Sequence, residues 1–154
     1  MKFLVAIIIA STVTLVSPRS AATYNSTVSG AQTASAESGS VAFNLNATGD
    51  LAGMLSLNLK HDGDNVNGGS WTLKVLPPNA DVTSNESGTL TGSFSGGTLT
   101  LDANGIVTAA NSIQVTVTSG TGQFASITSG SGTLNLSADP ENSTKLGGPF
   151  ALSF

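Results

Sequence analysis

Cysteine is absent from the 154 residues, and charge is nearly so. Without cysteine the chain has no disulfide, no thiol nucleophile and no cysteine through which a lipid could be attached. Charged residues make up 9% of the chain, against roughly a quarter in ordinary globular proteins. Lys2 and Arg19 lie in the first 22 residues, so only Lys60, Lys74 and Lys145 remain beyond them to face nine carboxylates, a net charge of −6. Nucleic-acid binding requires a basic stripe that neutralises phosphates, and none exists here. The same shortage excludes electrostatic attachment to an anionic membrane. Histidine occurs once, at position 61, and aromatic residues amount to 5%. Ser, Thr, Asn and Gly are left to carry the solubility, with no cofactor motif among them.

The one long apolar run stands at the beginning, in "MKFLVAIIIASTVTLVSPRSAATY". Lys2 supplies a positive start, Phe3 to Val16 an apolar stretch, and Ser20-Ala21-Ala22 a small-residue cleavage site. That is the plan of a secretory signal peptide, helical while it lasts. The apolar stretch is 14 residues, short of the roughly 20 that cross a bilayer. The expected organisation is a signal over 1–22, a polar N-terminal segment over 23–40 and one β-domain over 41–154. The expected location is extracellular or periplasmic, with no membrane span after cleavage.

The rest of the chain alternates. Phe43 and Leu45 are flanked by Asn44 and Asn46; Leu55, Leu57 and Leu59 by Ser56, Asn58 and Lys60. Trp71, Leu73 and Val75 keep one parity, as do Ile113, Val115 and Val117, Leu134 and Leu136, and Phe150, Leu152 and Phe154. A period of two with one apolar face is a half-buried strand. A first strand is expected near Tyr24 to Val28, and a helical turn is allowed over Ala31 to Glu37. "DGDNVNGG" (62–69), "LPPNAD" (76–81), "SGG" (95–97), "DANG" (102–105) and "DPEN" (139–142) carry turn chemistry.

Strands at this spacing predict an antiparallel barrel of about eight strands, with a β-sandwich as the alternative. Three lysines cannot guard open sheet edges with charge, whereas closure removes the edges, which favours the barrel. The final "GPFALSF" also ends as outer-membrane barrels do, but the aromatics are too few for two interfacial girdles.

The stretch "TSGTGQFASITSGSGTL", Thr118 to Leu134, lacks the lysine of a phosphate loop and the third glycine of a dinucleotide fingerprint. It reads as strand, bend and strand: Gly120 and Gly122 permit the bend, Phe124 returns to the core, and Gly130 and Gly132 permit a second kink. In this stretch the chain resembles the dirigent proteins and the related allene oxide cyclases, which carry G-G-T-G-x-F/Y followed by a further glycine. It is similar as well to secreted bacterial proteins with "GGTG-[FY]-A" before a "GSGT-L" strand. Gly120, Gly122 and Phe124 match; Ser119 replaces the first glycine, and Ser129 stands where the later one is found, with Gly130 one step on. The resemblance implies an eight-stranded antiparallel barrel, a homotrimer and a small apolar molecule in the lumen. It carries over no catalytic residue.

Few residues remain for chemistry. In "KHDGDNVNGGS" (60–70) Asp62 and Asp64 have the D-x-D spacing of a calcium loop, but Asn67 and Leu73 stand where an EF-hand places Gly and Glu. The same stretch also reads as a long solvated hairpin loop. Trp71 shares the parity of Leu73 and Val75, as a core residue would; the other reading is a stacking platform at a barrel mouth. A serine triad would need His61 as its base, and no nucleophile elbow is present. Asp50 and Glu86 flank strands rather than lying in turns. Trp71, Phe124 and Asp50 are therefore the candidate binding residues. The expected function is non-catalytic: binding a small apolar molecule, or a structural role outside the cell. The alternatives are a cyclase-like enzyme acting in the barrel lumen and a module adhering to carbohydrate or surfaces.

Overall fold

The alternation is realised as eight strands. A computed structural model describes residues 21–34, 36, 39–77, 87–142 and 144–154; most of the signal-like segment, most of "LPPNAD" and Glu86 lie outside them. The strands are β1 (Thr23–Ala34), β2 (Ser40–Gly49), β3 (Gly53–Asp62), β4 (Asn65–Val75), β5 (Gly88–Leu101), β6 (Val107–Gly120), β7 (Gly130–Ala138) and β8 (Lys145–Ser153). Each pairs antiparallel with the next, and β8 closes on β1 from Thr23 opposite Ser153 to Ala31 opposite Lys145. The sandwich alternative is thereby set aside, and no sheet edge is left unpaired within the wall.

Inward positions are apolar nearly throughout. Phe43, Leu45, Leu55, Leu59, Leu73, Leu90, Ile113, Leu134, Leu136 and Phe150 fill the lumen, each almost fully buried. The barrel is therefore a packed core and not an open channel. Outward positions are mostly Ser, Thr and Asn, and Met54 is the one large exposed hydrophobic side chain among the described residues. This is the reverse of a lipid-facing barrel, whose apolar band points outward.

Three expectations are corrected. Strand β1 runs from Thr23 to Ala34, so the polar segment over 23–40 is largely barrel wall; of the helical turn expected over Ala31 to Glu37, Ala31–Ala34 are strand and Ala36 is 3₁₀-helical. Small polar residues suit a strand whose outer face meets water. The "DGDNVNGG" stretch is not a long loop, because β3 and β4 extend through it and leave only Gly63 and Asp64 between them. Gly63 takes the left-handed conformation (φ 55°) that so tight a hairpin demands. Finally, "SGG" is no turn. It lies inside β5 as a bulge, with register shifts from Phe94 to Thr98 and Gly97 at φ 117°. The extra residue switches the inward parity from Leu90 and Phe94 to Leu99.

Candidate functional site

The two ends of the barrel are built differently. One end, here the floor, gathers the β1–β2, β3–β4, β5–β6 and β7–β8 connections. On the first of these, Ala36 is buried in the core and its N–H donates to the Gly105 carbonyl (3.3 Å). The Gln32 side-chain amide donates to the carbonyls of Ala34 (2.8 Å) and Gly105 (3.2 Å), while its oxygen accepts the Val107 N–H (2.9 Å). His61 sets its two ring nitrogens against the carbonyls of Gly63 (2.9 Å) and Ala36 (3.1 Å). Asp102 accepts the N–H groups of Asn104 (2.8 Å) and Ile106 (2.9 Å). These backbone donors, Ile106 foremost and then Asn104, hold its carboxyl below the usual aspartate value. Among the described residues the floor is a hydrogen-bonded surface.

The other end is a mouth. Among the described residues it holds a cavity of about 860 Å³, open on one side and lined in part by Tyr24, Asp50, Leu51, Leu76, Phe124, Ile127 and Phe154. Tyr24 and Phe154 continue the inward parity of β1 and β8 and form the last layer of the core. Their rings stack with centroids 4.7 Å apart and planes at 16°. Phe124 meets Phe154 edge-on at 6.3 Å and 85°. Both are arrangements that aromatic quadrupoles favour.

The glycine-rich stretch seats Phe124. Between β6 and β7 the chain makes a 3₁₀ turn, Gly122–Phe124, entered through Gly122 at φ 59°. A Cβ on Gly120 would stand 2.2 Å from the Phe124 carbonyl oxygen and 2.7 Å from its Cβ. Only glycine lets Phe124 fold back so closely. Phe124 is buried, as its sequence suggests, but on a connection capping the barrel rather than in the wall. Gly130 and Gly132 open β7; a Cβ on Gly132 would lie 2.0 Å from the Ala151 carbonyl oxygen, so there the glycine permits close approach of β8.

Asp50 is held at the rim by the β2–β3 connection. Its carboxylate accepts the Asn25 N–H (2.8 Å), and its own N–H donates to the Asn25 carbonyl (3.1 Å). One residue on, the Leu51 N–H donates to the Ser26 hydroxyl oxygen (3.1 Å), and that hydroxyl donates to the Leu51 carbonyl (3.2 Å). Ser26 is the one buried polar side chain of the core among the described residues, and this reciprocal pair satisfies it.

Of the candidate binding residues, Asp50 and Phe124 thus meet at one cavity. Trp71 does not join them. It is 2% exposed, meets Phe150 edge-on at 5.8 Å, and lies opposite Gly92, where a Cβ would come within 2.6 Å of its Nε1. Its Nε1 has no hydrogen-bond partner among the described residues. Asp62 and Asp64 flank the tight β3–β4 turn, and no group of three or more His, Cys, Asp or Glu side chains gathers among the described residues. Sequence reasoning missed Tyr24, Leu76, Ile127 and Phe154 as site residues. Parity marked Phe154 as inward and Tyr24 stood in the expected first strand, but only closure of β8 on β1 makes them neighbours.

A shallow groove of about 260 Å³ on the outer wall runs along Asn44, Ser56, Asn58, Ser70 and Thr72; Trp71 borders it, but its ring is buried and offers no exposed face on which a sugar could stack. Comparison with family models, curated proteins and solved structures finds no match for this chain. The fold and the mouth are therefore what defines it: an antiparallel eight-stranded meander barrel with a packed lumen and, among the described residues, a cavity at one end.

Proposed function

We propose that this is an exported, non-catalytic binding protein that holds a small apolar molecule in the barrel mouth. The observation that carries the reading is the mouth cavity itself. Its volume of about 860 Å³ falls within the roughly 300–1,000 Å³ of small-molecule sites. Three of the seven aromatic side chains among the described residues gather at its lining. Aromatic and aliphatic surface open to water is costly unless something covers it. The packed lumen argues for a ligand at the mouth in place of the deeper one that the dirigent and cyclase resemblance implies. It also argues against cyclisation inside the barrel, since no inward acid or base among the described residues supports chemistry there. The "SAA" site before Thr23 supports export.

The test uses the chain from Ala21 onward, which carries every strand, behind a purification tag. Titration with the fluorescent apolar probe N-phenyl-1-naphthylamine is expected to show saturable binding with Kd of roughly micromolar order, about 8 kcal/mol. Leu76→Glu and Ile127→Glu, both at the rim, should each weaken it at least about tenfold. Absence of saturable binding, or full binding by both folded variants, would overturn the reading.

A further inference from the structure

We propose that the mouth is selective for a small aromatic cation over neutral and anionic molecules of the same shape. The inference rests on the mouth being a ligand site and names the class of ligand it takes.

Asp50 is the one charged side chain lining the cavity among the described residues. Its place is fixed by the backbone pairing with Asn25 and by the Ser26–Leu51 pair beside it. Counter-charges lie elsewhere. Lys60 stands near the end of β3 and Lys145 begins β8, both at the floor, together with His61. Lys74 points outward from β4, opposite Met54 and Thr89, and does not line the cavity. From residue 23 onward the chain carries −6, so its overall field also attracts cations.

The aromatic trio acts in the same direction. Ring faces are the negative part of the aromatic quadrupole, and a cation held near them is attracted. Flat apolar rings extend the stack of Tyr24 on Phe154, while the positive group reaches the Asp50 carboxylate at the rim. An anion in the same pose would meet the carboxylate and the ring faces with no positively charged side chain among the described lining residues to offset them.

The experiment measures displacement of N-phenyl-1-naphthylamine from the tagged Ala21–Phe154 chain by three probes of one shape. These are a naphthylmethyl trimethylammonium salt, naphthylmethanol and naphthylacetate. The tag keeps a free amino terminus away from the mouth. At low salt the cation is expected to bind at least about tenfold tighter than the alcohol, equal to about 1.4 kcal/mol, and the acetate weakest. Asp50→Asn, whose side-chain oxygen can still accept the Asn25 N–H, should bring the three within about threefold of one another, with the melting temperature as the check of folding. Rising salt on the unmodified chain should narrow the same gap and needs no variant. Equal binding of the three probes overturns the charge selectivity and leaves the apolar site standing. Failure of the naphthylamine itself to bind overturns both.

Discussion

The floor and the mouth close the same eight strands by opposite means. At the floor, polar groups turn back on the protein: Gln32, His61 and Asp102 each use their side-chain atoms on backbone partners. Leu101 and Ile106 are half-buried there, the large hydrophobic side chains that the β5–β6 connection leaves partly uncovered. At the mouth, Asp50 and the buried Ser26 stitch the β2–β3 connection to β1, and Thr121 accepts the Thr89 N–H beside the β6–β7 connection. The remainder is a half-covered layer of Tyr24, Phe154, Leu76 and Ile127. A barrel selected only for stability has every reason to finish both ends like the floor. The difference favours the mouth as the working end of the proposed binding function.

The comparison is most severely tested at the seat of Phe124. Gly120→Val is expected to cost roughly 3 kcal/mol, because the new side chain meets the Phe124 backbone rather than a side chain able to move aside. Chemical denaturation should register the loss, and probe binding should fall with it. A Gly120→Val variant as stable as the parent would mean that the close approach of Phe124 is not what the glycine is for.

Next in size is Tyr24→Ala. Removing a half-buried ring from the Phe154 stack should cost about 2 kcal/mol through lost burial and ring contact. The more telling readout is the probe, whose affinity should fall about tenfold if the exposed ring surface holds ligand. Stability lost with affinity unchanged would reduce the aromatic layer to a lid on the core.

Much of the fold was legible because burial writes a period of two into a sequence so poor in charge. Leu55, Leu57 and Leu59, or Ile113, Val115 and Val117, face the lumen as their alternation requires. What escaped was the bulged backbone. In β5 the extra residue between Phe94 and Leu99 breaks parity, and the glycines that allow it look like turn residues when read along the chain. The long β3–β4 hairpin was obscured for a related reason: Asp, Asn and Gly near a turn also occupy the outer faces of the strands entering it. Of the site, Asp50 and Phe124 were visible as a carboxylate beside a strand and an aromatic after glycines. Their meeting was not, since they lie on connections 74 positions apart that share one end only because the barrel closes.

The floor should answer more weakly, one contact at a time. His61→Ala removes the ring that ties the β3–β4 turn to Ala36 and is expected to cost about 1 kcal/mol, the usual net value of such hydrogen bonding. Probe affinity at the opposite end should stay unchanged. A large fall in affinity would show that the two ends are coupled, contrary to the division drawn between them.

Smallest of all is the effect of Asp102, which is fully exposed and acts only through its own turn. Its folded-state carboxyl lies below the ordinary value of 3.8, chiefly because the ionised form accepts the Ile106 and Asn104 N–H groups. Folding therefore favours the ionised form, so its stabilising contribution is present in full above the ordinary value. It is lost as pH falls through that value and on through the lower folded one. Asp102→Asn keeps an oxygen for the same donors but carries no charge. The variant should melt slightly below the parent at pH 7, and the gap should close as both are taken below about pH 3. Taking the difference between the two proteins cancels the other carboxylates, which protonate in both. A gap that stays constant with pH would place the value of Asp102 in turn geometry alone and leave its charge without effect on the floor.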